Sequence, residues 1–150
     1  MAVMEVSNPR NGTVDYRFEA TGPDEVQAKV KAARAAQQQW LARGLEHRIR
    51  VLAAWAASLE KHAPEIAAAL AQDTARSRIS HEEIGAVLHF IHGFSKAAPD
   101  VLAQPFRKFS ANPDVVFKTT VIPYTVVGVI SPWNFPMGLS FIDAIPALLA

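Results

Sequence analysis

The chain has 150 residues, of which 50% are hydrophobic and 19% are charged, a composition that excludes a disordered tail and fits one domain. Lysine and arginine number 15 and aspartate and glutamate 14, so the formal net charge of +1 gives no support to nucleic-acid binding or a polybasic membrane anchor. No cysteine is present, which excludes disulfides, thiolate zinc sites and thiol nucleophiles within these residues. The sequence predicts neither a signal peptide nor a membrane-spanning helix, and we expect a cytoplasmic protein without nucleic-acid or membrane partners.

Residues 1–22 predict an extended arm that folds back on itself. The segment Asn8-Pro9-Arg10-Asn11-Gly12 has the composition of a turn, because proline presets φ and Asn-Gly permits positive φ. We expect the flanking residues, Ala2–Val6 and Thr13–Glu19, to pair as a short hairpin.

Four alanine-rich segments then show apolar residues at spacings of three and four, which predicts amphipathic helices. They cover residues 23–43, 45–62, about 65–74 and about 80–99. Ser80-His81-Glu82-Glu83 has the pattern of a capping box, which would begin the fourth helix. The apolar faces of the second and fourth helices comprise Leu45, Ile49, Leu52, Ala56 and Leu59, and Ile84, Val87, Leu88, Ile91 and Phe94.

Beyond Pro105 the period changes to two. Alternation predicts a strand over Val115–Tyr124, with Phe106–Ala111 as its partner across Asn112-Pro113-Asp114. Val126–Ile130 is apolar on both faces, as a central parallel strand is, and an apolar helix is predicted over Met137–Ala150. A strand followed by a helix is half of a parallel βαβ unit, so we expect an α/β fold and an N-terminal part of a longer protein.

The segment VVGVISPWNFP, Val126–Pro136, resembles the aldehyde dehydrogenase superfamily, whose members carry Gly-Val-Ile-x-Pro-Trp-Asn-Phe/Tyr-Pro at this place. The stretch Ile145-Pro146-Ala147-Leu148, the Asn8-Pro9 pair and the alanine-rich helices are also similar to the family. The resemblance implies the N-terminal portion of that fold. Residues 1–105 would be the arm and helices of the cofactor-binding domain, 106–124 the oligomerisation strands, and 125–150 the start of the NAD(P)-binding sheet.

Asn134 is the residue of this segment best suited to chemistry. Its side chain has two donors, and Pro132 and Pro136 restrict the backbone on either side, which suits a fixed donor to an oxyanion. Spacing alone also allows a second interpretation, in which Asn134 caps the helix that follows it. The resemblance favours the catalytic role. It implies that Asn134 stabilises the oxyanion formed when a cysteine thiolate attacks an aldehyde, whose hydride passes to NAD or NADP.

The resemblance also assigns neighbouring residues. Ile130, Ser131, Pro132 and Trp133 would flank the nicotinamide-ribose side of the cofactor, although Trp133 could instead pack in the core. Phe135, Gly138 and Ile142 would line the aldehyde tunnel, where the small Gly138 would leave room for a bulky substrate. The full enzyme would be a homo-oligomer, a dimer or a tetramer, acting on a small-molecule aldehyde.

Several family residues are missing from these 150. The nucleophilic cysteine is absent, and the general-base glutamate and the cofactor-binding lysine would lie beyond Ala150. At Asp73-Thr74-Ala75-Arg76 the family commonly has Thr-Gly-Lys, and alanine does not favour the left-handed backbone that glycine allows. We therefore expect the isolated chain to be inactive.

Other patterns are weaker. His89 and His92 could share a helix face but lack a third ligand, so no metal site is expected. Ser131 lacks the setting of a hydrolase nucleophile, and the basic residues around Arg76 form no stripe with aromatics. Two alternatives remain: a non-catalytic helical interaction module, and an acyl-CoA or acyl-phosphate reductase of the same superfamily.

Overall fold

The computed structural model describes residues 3–103, 106–109, 111–118 and 120–150. The described residues form an α/β structure, as predicted. In chain order the elements are β1 (Val3–Ser7), β2 (Val14–Glu19), α1 (Pro23–Ala42), α2 (Leu45–Lys61), α3 (Ala63–Thr74), α4 (Ser77–Val101), β3 (Phe106–Phe109), β4 (Asn112–Lys118) and α5 (Gly138–Leu149).

The N-terminal arm is the predicted hairpin. β1 and β2 pair antiparallel, with Val3 opposite Glu19. The connecting turn is closed by the Asn8 backbone N–H, which donates to the Thr13 carbonyl at 2.7 Å, and Gly12 has a positive φ of 75°. Ala2, which the sequence placed in the first strand, lies outside the described residues.

The hydrophobic core lies where α2, α4 and α5 meet, and α3 packs on α4. The apolar faces predicted for the second and fourth helices are confirmed, because their central residues are the buried ones. α1 contains no buried residue; its Trp40 indole N–H donates to the Leu148 carbonyl of α5 at 2.7 Å. The buried cluster consists of Leu52, Ala56, Leu59, Val87, Ile91, Ala98, Ile145 and Leu149.

The predicted capping box at Ser80 is wrong. α4 begins at Ser77, one turn earlier, so Ser80 is buried inside the helix and its hydroxyl donates to the Arg76 carbonyl at 2.9 Å. The helix also continues through Pro99 to Val101, two residues beyond the predicted end. Glu83 is therefore free to act elsewhere in the fold.

The second strand pair forms earlier in the chain than predicted. β3 and β4 are antiparallel with Phe109 opposite Asn112, so Asn112 begins a strand instead of a turn. β4 ends at Lys118, and the described residues 120–124 are not in a strand. Ser110 and Thr119, which the predicted strands include, lie outside the described residues.

The predicted central strand at Val126–Ile130 is not formed. A strand is held by hydrogen bonds to neighbouring strands, and the described part of the chain provides none beside these residues: its two sheets contain only β1 with β2 and β3 with β4. The helix predicted to follow does form, as α5, and begins at Gly138.

Candidate active site

The loop of residues 131–137, here called the Asn134 loop, enters α5 and is fastened to α4 at two places. At its C-terminal end, the Glu83 carboxylate accepts the backbone N–H groups of Met137 at 2.9 Å and of Gly138 at 2.8 Å. Glu83 is only 3% exposed. A carboxylate there satisfies two amides that a helix start leaves open and complements the helix dipole, so α5 begins at a defined point.

The second attachment is made by Arg76, immediately before α4. Its Nη1 donates to the backbone carbonyl of Asn134 at 2.6 Å. The same guanidinium lies over the Phe135 ring, with its central carbon 4.5 Å from the ring centroid, in a cation–π geometry. Arg76 therefore holds two consecutive residues of the Asn134 loop.

The backbone of Arg76 is itself fixed on both sides. Its N–H donates to the Thr74 hydroxyl at 3.3 Å, and its carbonyl accepts from the Ser80 hydroxyl at 2.9 Å. The turn between α3 and α4 depends on Ala75, which has left-handed dihedrals of φ 58° and ψ 21°. Ala75 is the position at which the resemblance led us to expect glycine. The alanine nevertheless adopts the left-handed conformation that glycine favours.

A third set of contacts lies inside the loop. The Ser131 hydroxyl donates to the Pro136 carbonyl at 2.8 Å, and the Ser140 hydroxyl donates to the same oxygen. The Ser131 hydroxyl thus links the first part of the Asn134 loop to its last part.

The Asn134 carboxamide itself is half-buried, and none of the described residues forms a hydrogen bond to it. It does not cap α5: the cap position is Met137, where no side chain caps the helix, and Glu83 bonds the first amides instead. The helix-capping interpretation of Asn134 is therefore wrong. A polar side chain on a fastened backbone, with its donors unused by the described chain, is suited to binding a ligand oxygen.

Of the other predicted site residues, Ile130 and Trp133 are 99% and 79% exposed. Trp133 therefore does not pack in the core formed by the described residues. With exposed Pro132 they present apolar side chains to solvent at the start of the Asn134 loop. Such a surface fits one face of a nicotinamide ring, but the α5 amides cannot hold the cofactor's phosphates, because Glu83 occupies them.

Gly138, predicted to line the aldehyde tunnel, lies next to Glu83 in the described structure. It is buried, and a Cβ built on it would lie 3.6 Å from Glu83 Oε2. A side chain at this position would therefore meet Glu83 first. Ile142, one turn further along α5, is half-buried, as is Phe135.

Two grooves lie away from the Asn134 loop. A groove of about 650 Å³ runs between α1, residues 124–129 and α5, and a second of about 470 Å³ lies beside Arg48 and Ala150. Among the described residues there is no group of three or more metal-ligating side chains. No described helix has the length and apolar character needed to cross a bilayer.

The two fastening residues, Glu83 and Arg76, were missed from the sequence. Glu83 was assigned to a capping box, although it is spaced four residues from Val87 and eight from Ile91, on the buried face of α4. A carboxylate in an apolar face is a signal for a buried partner. For Arg76 the sequence contains no comparable signal.

The described residues form an α/β framework in which a loop that carries an unbonded carboxamide leads into the start of a helix. Comparison with known proteins identifies the family: the model described as "Aldehyde dehydrogenase family" matches residues 2–150. The chain belongs to the aldehyde dehydrogenase family.

Individual relatives agree with this assignment. A Mycolicibacterium smegmatis protein named "Putative succinate-semialdehyde dehydrogenase", with NADP(+) in its name, is 37% identical over 130 residues, which are 85% of this chain and 25% of that protein. The structure of "Putative Aldehyde Dehydrogenase PutA" from Anabaena variabilis matches with a TM-score of 0.93 and 38% identity over 99% of this chain and 31% of that one. An NAD-dependent benzaldehyde dehydrogenase from Corynebacterium glutamicum matches with a TM-score of 0.88 and 26% identity, over 99% and 32% of the two chains. This chain thus spans about a quarter of the curated relative.

Proposed function

We propose that this chain supplies the N-terminal part of an NAD(P)-dependent aldehyde dehydrogenase, which oxidises an aldehyde to a carboxylic acid. One observation carries the proposal. The Asn134 backbone is fastened by Arg76, while its carboxamide has no hydrogen-bond partner among the described residues. The membership of the family and the coverage of its relatives support the assignment.

In this proposal Asn134 Nδ2 donates a hydrogen bond to the aldehyde oxygen as negative charge develops on it. The attacking thiolate and the glutamate that activates water for thioester hydrolysis come from outside these 150 residues, which contain no cysteine. A donor placed in advance stabilises the charged state without reorganising, and the loss of one such donor costs about 2.7–4 kcal/mol of transition-state stabilisation.

The cofactor is proposed to be NAD or NADP, which accepts the hydride of the aldehyde. Ile130, Ser131, Pro132 and Trp133 would contact its nicotinamide-ribose side, and the exposure of Ile130 and Trp133 supports this. Because Glu83 already occupies the α5 amides, the phosphates would be bound by other groups.

For the aldehyde, Phe135 and Ile142 would form part of the approach to Asn134. Gly138 would line the same approach, where its lack of a side chain would leave room for a bulky aldehyde. Gly138→Trp in the complete protein should then lower the turnover of large aldehydes more than that of acetaldehyde, and equal effects would count against this assignment.

The β3–β4 pair is proposed to join copies of the complete protein, within residues 106–124, in a dimer or tetramer. β4 exposes Val115 and Phe117 on one face and Val116 on the other, apolar side chains that a partner would cover. We also propose that the protein works in the cytoplasm. Sedimentation velocity of the complete protein, with Phe117→Ser as the variant, tests the assembly.

The first test is the coding sequence after the Ala150 codon. An open frame that continues into a second parallel strand supports the proposal, whereas a native stop codon supports the non-catalytic helical module. The product of the whole frame is called the complete protein below.

The second test is turnover. We expect the complete protein to reduce NAD or NADP with aldehydes, the 150-residue chain to show no turnover, and Asn134→Ala to lower kcat by about 100- to 1000-fold. Asn11→Ala, in the exposed N-terminal turn, is the matched control and should leave kcat unchanged. An Asn134→Ala enzyme as fast as the parent would overturn the proposal.

A further inference from the structure

We infer that Glu83 and Arg76 are positioning residues for the Asn134 carboxamide, so that α4 sets the geometry of the reacting centre without touching substrate or cofactor. The inference rests on the proposed function, since it assigns these residues to the orientation of the proposed oxyanion donor. It goes beyond that function in naming two side chains that act through Asn134.

The argument for Glu83 begins with its burial. A carboxylate that is 3% exposed needs polar partners, and those the described residues provide are the N–H groups of Met137 and Gly138, both on Oε2. Gly138 is itself buried, and a Cβ at this position would be in ordinary contact with the carboxylate, 3.6 Å from Oε2. Glu83 thereby determines where α5 starts, and with it the exit of the Asn134 loop.

Arg76 determines the other half of the loop. Its hydrogen bond reaches the carbonyl of Asn134 itself, and its guanidinium lies on the ring of the next residue, Phe135. Since the Arg76 backbone is bonded to both Thr74 and Ser80, the side chain projects from a fixed point.

The two residues act from α4 and from the cap residue at its start, Arg76. Glu83 follows Arg76 by seven residues, about two turns or 10 Å along the helix. Because α4 also contributes Val87 and Ile91 to the core, it cannot shift without disturbing the core. The two contacts therefore fix the backbone of the loop. The position of the carboxamide then depends only on the side-chain dihedral angles of Asn134. A misplacement of about 1 Å at a reacting centre can cost about 100-fold in rate.

The test uses the complete protein and two pairs of variants. Glu83→Ala removes both hydrogen bonds, whereas Glu83→Gln retains an oxygen that can accept both N–H groups. Arg76→Ala removes the bond to Asn134, whereas Arg76→Lys retains a donor. We expect each alanine variant to lower kcat by 10- to 100-fold with KM for the cofactor changed less than threefold. The conservative variants should recover at least half of that loss on a logarithmic scale.

A double-mutant cycle separates positioning from general stability. If Glu83 acts through Asn134, then Glu83→Ala should lower kcat less than threefold once Asn134 is already alanine, because the group it orients is gone. If Glu83 merely maintains the fold, its loss should lower kcat by the same factor in both backgrounds, which would overturn the inference.

Two controls complete the design. Leu59→Ala removes core packing on α2 and should lower the melting temperature while leaving kcat per folded molecule unchanged. Glu82→Ala removes a neighbouring exposed carboxylate and should change neither. If Asn134→Ala lowers kcat but Glu83→Ala and Arg76→Ala do not, the inference fails and the proposed function stands. If Asn134→Ala has no effect, the proposed function fails first.

Discussion

The Asn134 loop and the segment that precedes it, residues 120–130, have opposite relations to the rest of the chain. The loop is hydrogen-bonded to residues more than 50 positions away in the sequence: the Asn134 carbonyl accepts from Arg76, and the Met137 N–H donates to Glu83. The preceding segment, although more apolar, contains Ile122, Tyr124 and Ile130 with exposed side chains. The Asn134 loop is therefore positioned by side chains of this chain, whereas residues 120–130 expose apolar side chains to solvent.

Each region follows from a different physical requirement. Buried amides at a helix start need an acceptor, and α4 provides one. An apolar strand needs neighbours on both sides, and none of the described residues lies beside it as a paired strand. This contrast predicts how substitutions in the two regions change the free energy of unfolding of the chain.

The sharpest comparison uses the same substitution in both regions. Ile91, on α4, is 1% exposed, and Ile91→Ala should lower the free energy of unfolding by about 2–5 kcal/mol through lost packing and a cavity. Ile130→Ala should change it by less than about 0.5 kcal/mol, because Ile130 makes no buried contact. Urea denaturation measures both, and equal losses would contradict the contrast.

The fastening of the loop is tested by adjacent glutamates. Glu83→Ala leaves two amides at the start of α5 without an acceptor and should lower the free energy of unfolding by about 2–3 kcal/mol. Glu82 has only an exposed ion pair with Arg78 at 3.5 Å, so Glu82→Ala should cost less than about 0.5 kcal/mol. Equal costs in thermal denaturation would show that the buried bonds do not hold the loop.

The far end of α5 has a similar attachment. Arg48 is 5% exposed and donates to the carbonyls of Leu149 and Leu41, and burial lowers the pKa of its guanidinium. Arg48→Ala should lower the free energy of unfolding by about 2 kcal/mol, because these buried carbonyls lose their donors. Exposed Arg50, paired with Glu46 at 3.9 Å, is the control, and chemical denaturation should show a change below about 0.5 kcal/mol for Arg50→Ala.

The smallest expected effect is a gain. Ala75 has a φ of 58°, which strains an alanine but not a glycine. Ala75→Gly should therefore raise the free energy of unfolding by about 0.5–1 kcal/mol and leave the Arg76 contacts in place. Ala68→Gly, at an exposed position within α3, should lower it by about 1 kcal/mol. A loss at both positions would show that the turn tolerates alanine without strain.

The helices were predictable because their apolar spacing is local. The spacing of Leu52 from Ala56, and of Val87 from Ile91, indicates the buried face directly, and these residues form the core. The motif around Asn134 was also visible in the sequence, because proline restricts the backbone at known positions. The role of Asn134 remains a proposal, but its alternative as a helix cap was wrong.

What could not be predicted depends on distant contacts. Glu83 has a local interpretation, the capping box, that competes with its true partner 55 residues later at Gly138, and no local pattern distinguishes the two. The strand predicted at residues 126–130 was wrong for the same reason. Val126–Ile130 has the composition of a strand, but the hydrogen bonds that would make it one require neighbours.

The exposed indole of Trp133 makes the molecule its own optical reporter. The other two tryptophans are half-buried. The Trp40 indole N–H donates to the Leu148 carbonyl, and the ring centroids of Trp55 and Phe141 are 4.7 Å apart. Emission that acrylamide quenches should therefore come mainly from position 133, next to the proposed reactive amide. If acrylamide quenches this emission less in the complete protein than in the 150-residue chain, then Trp133 is covered by residues outside these 150.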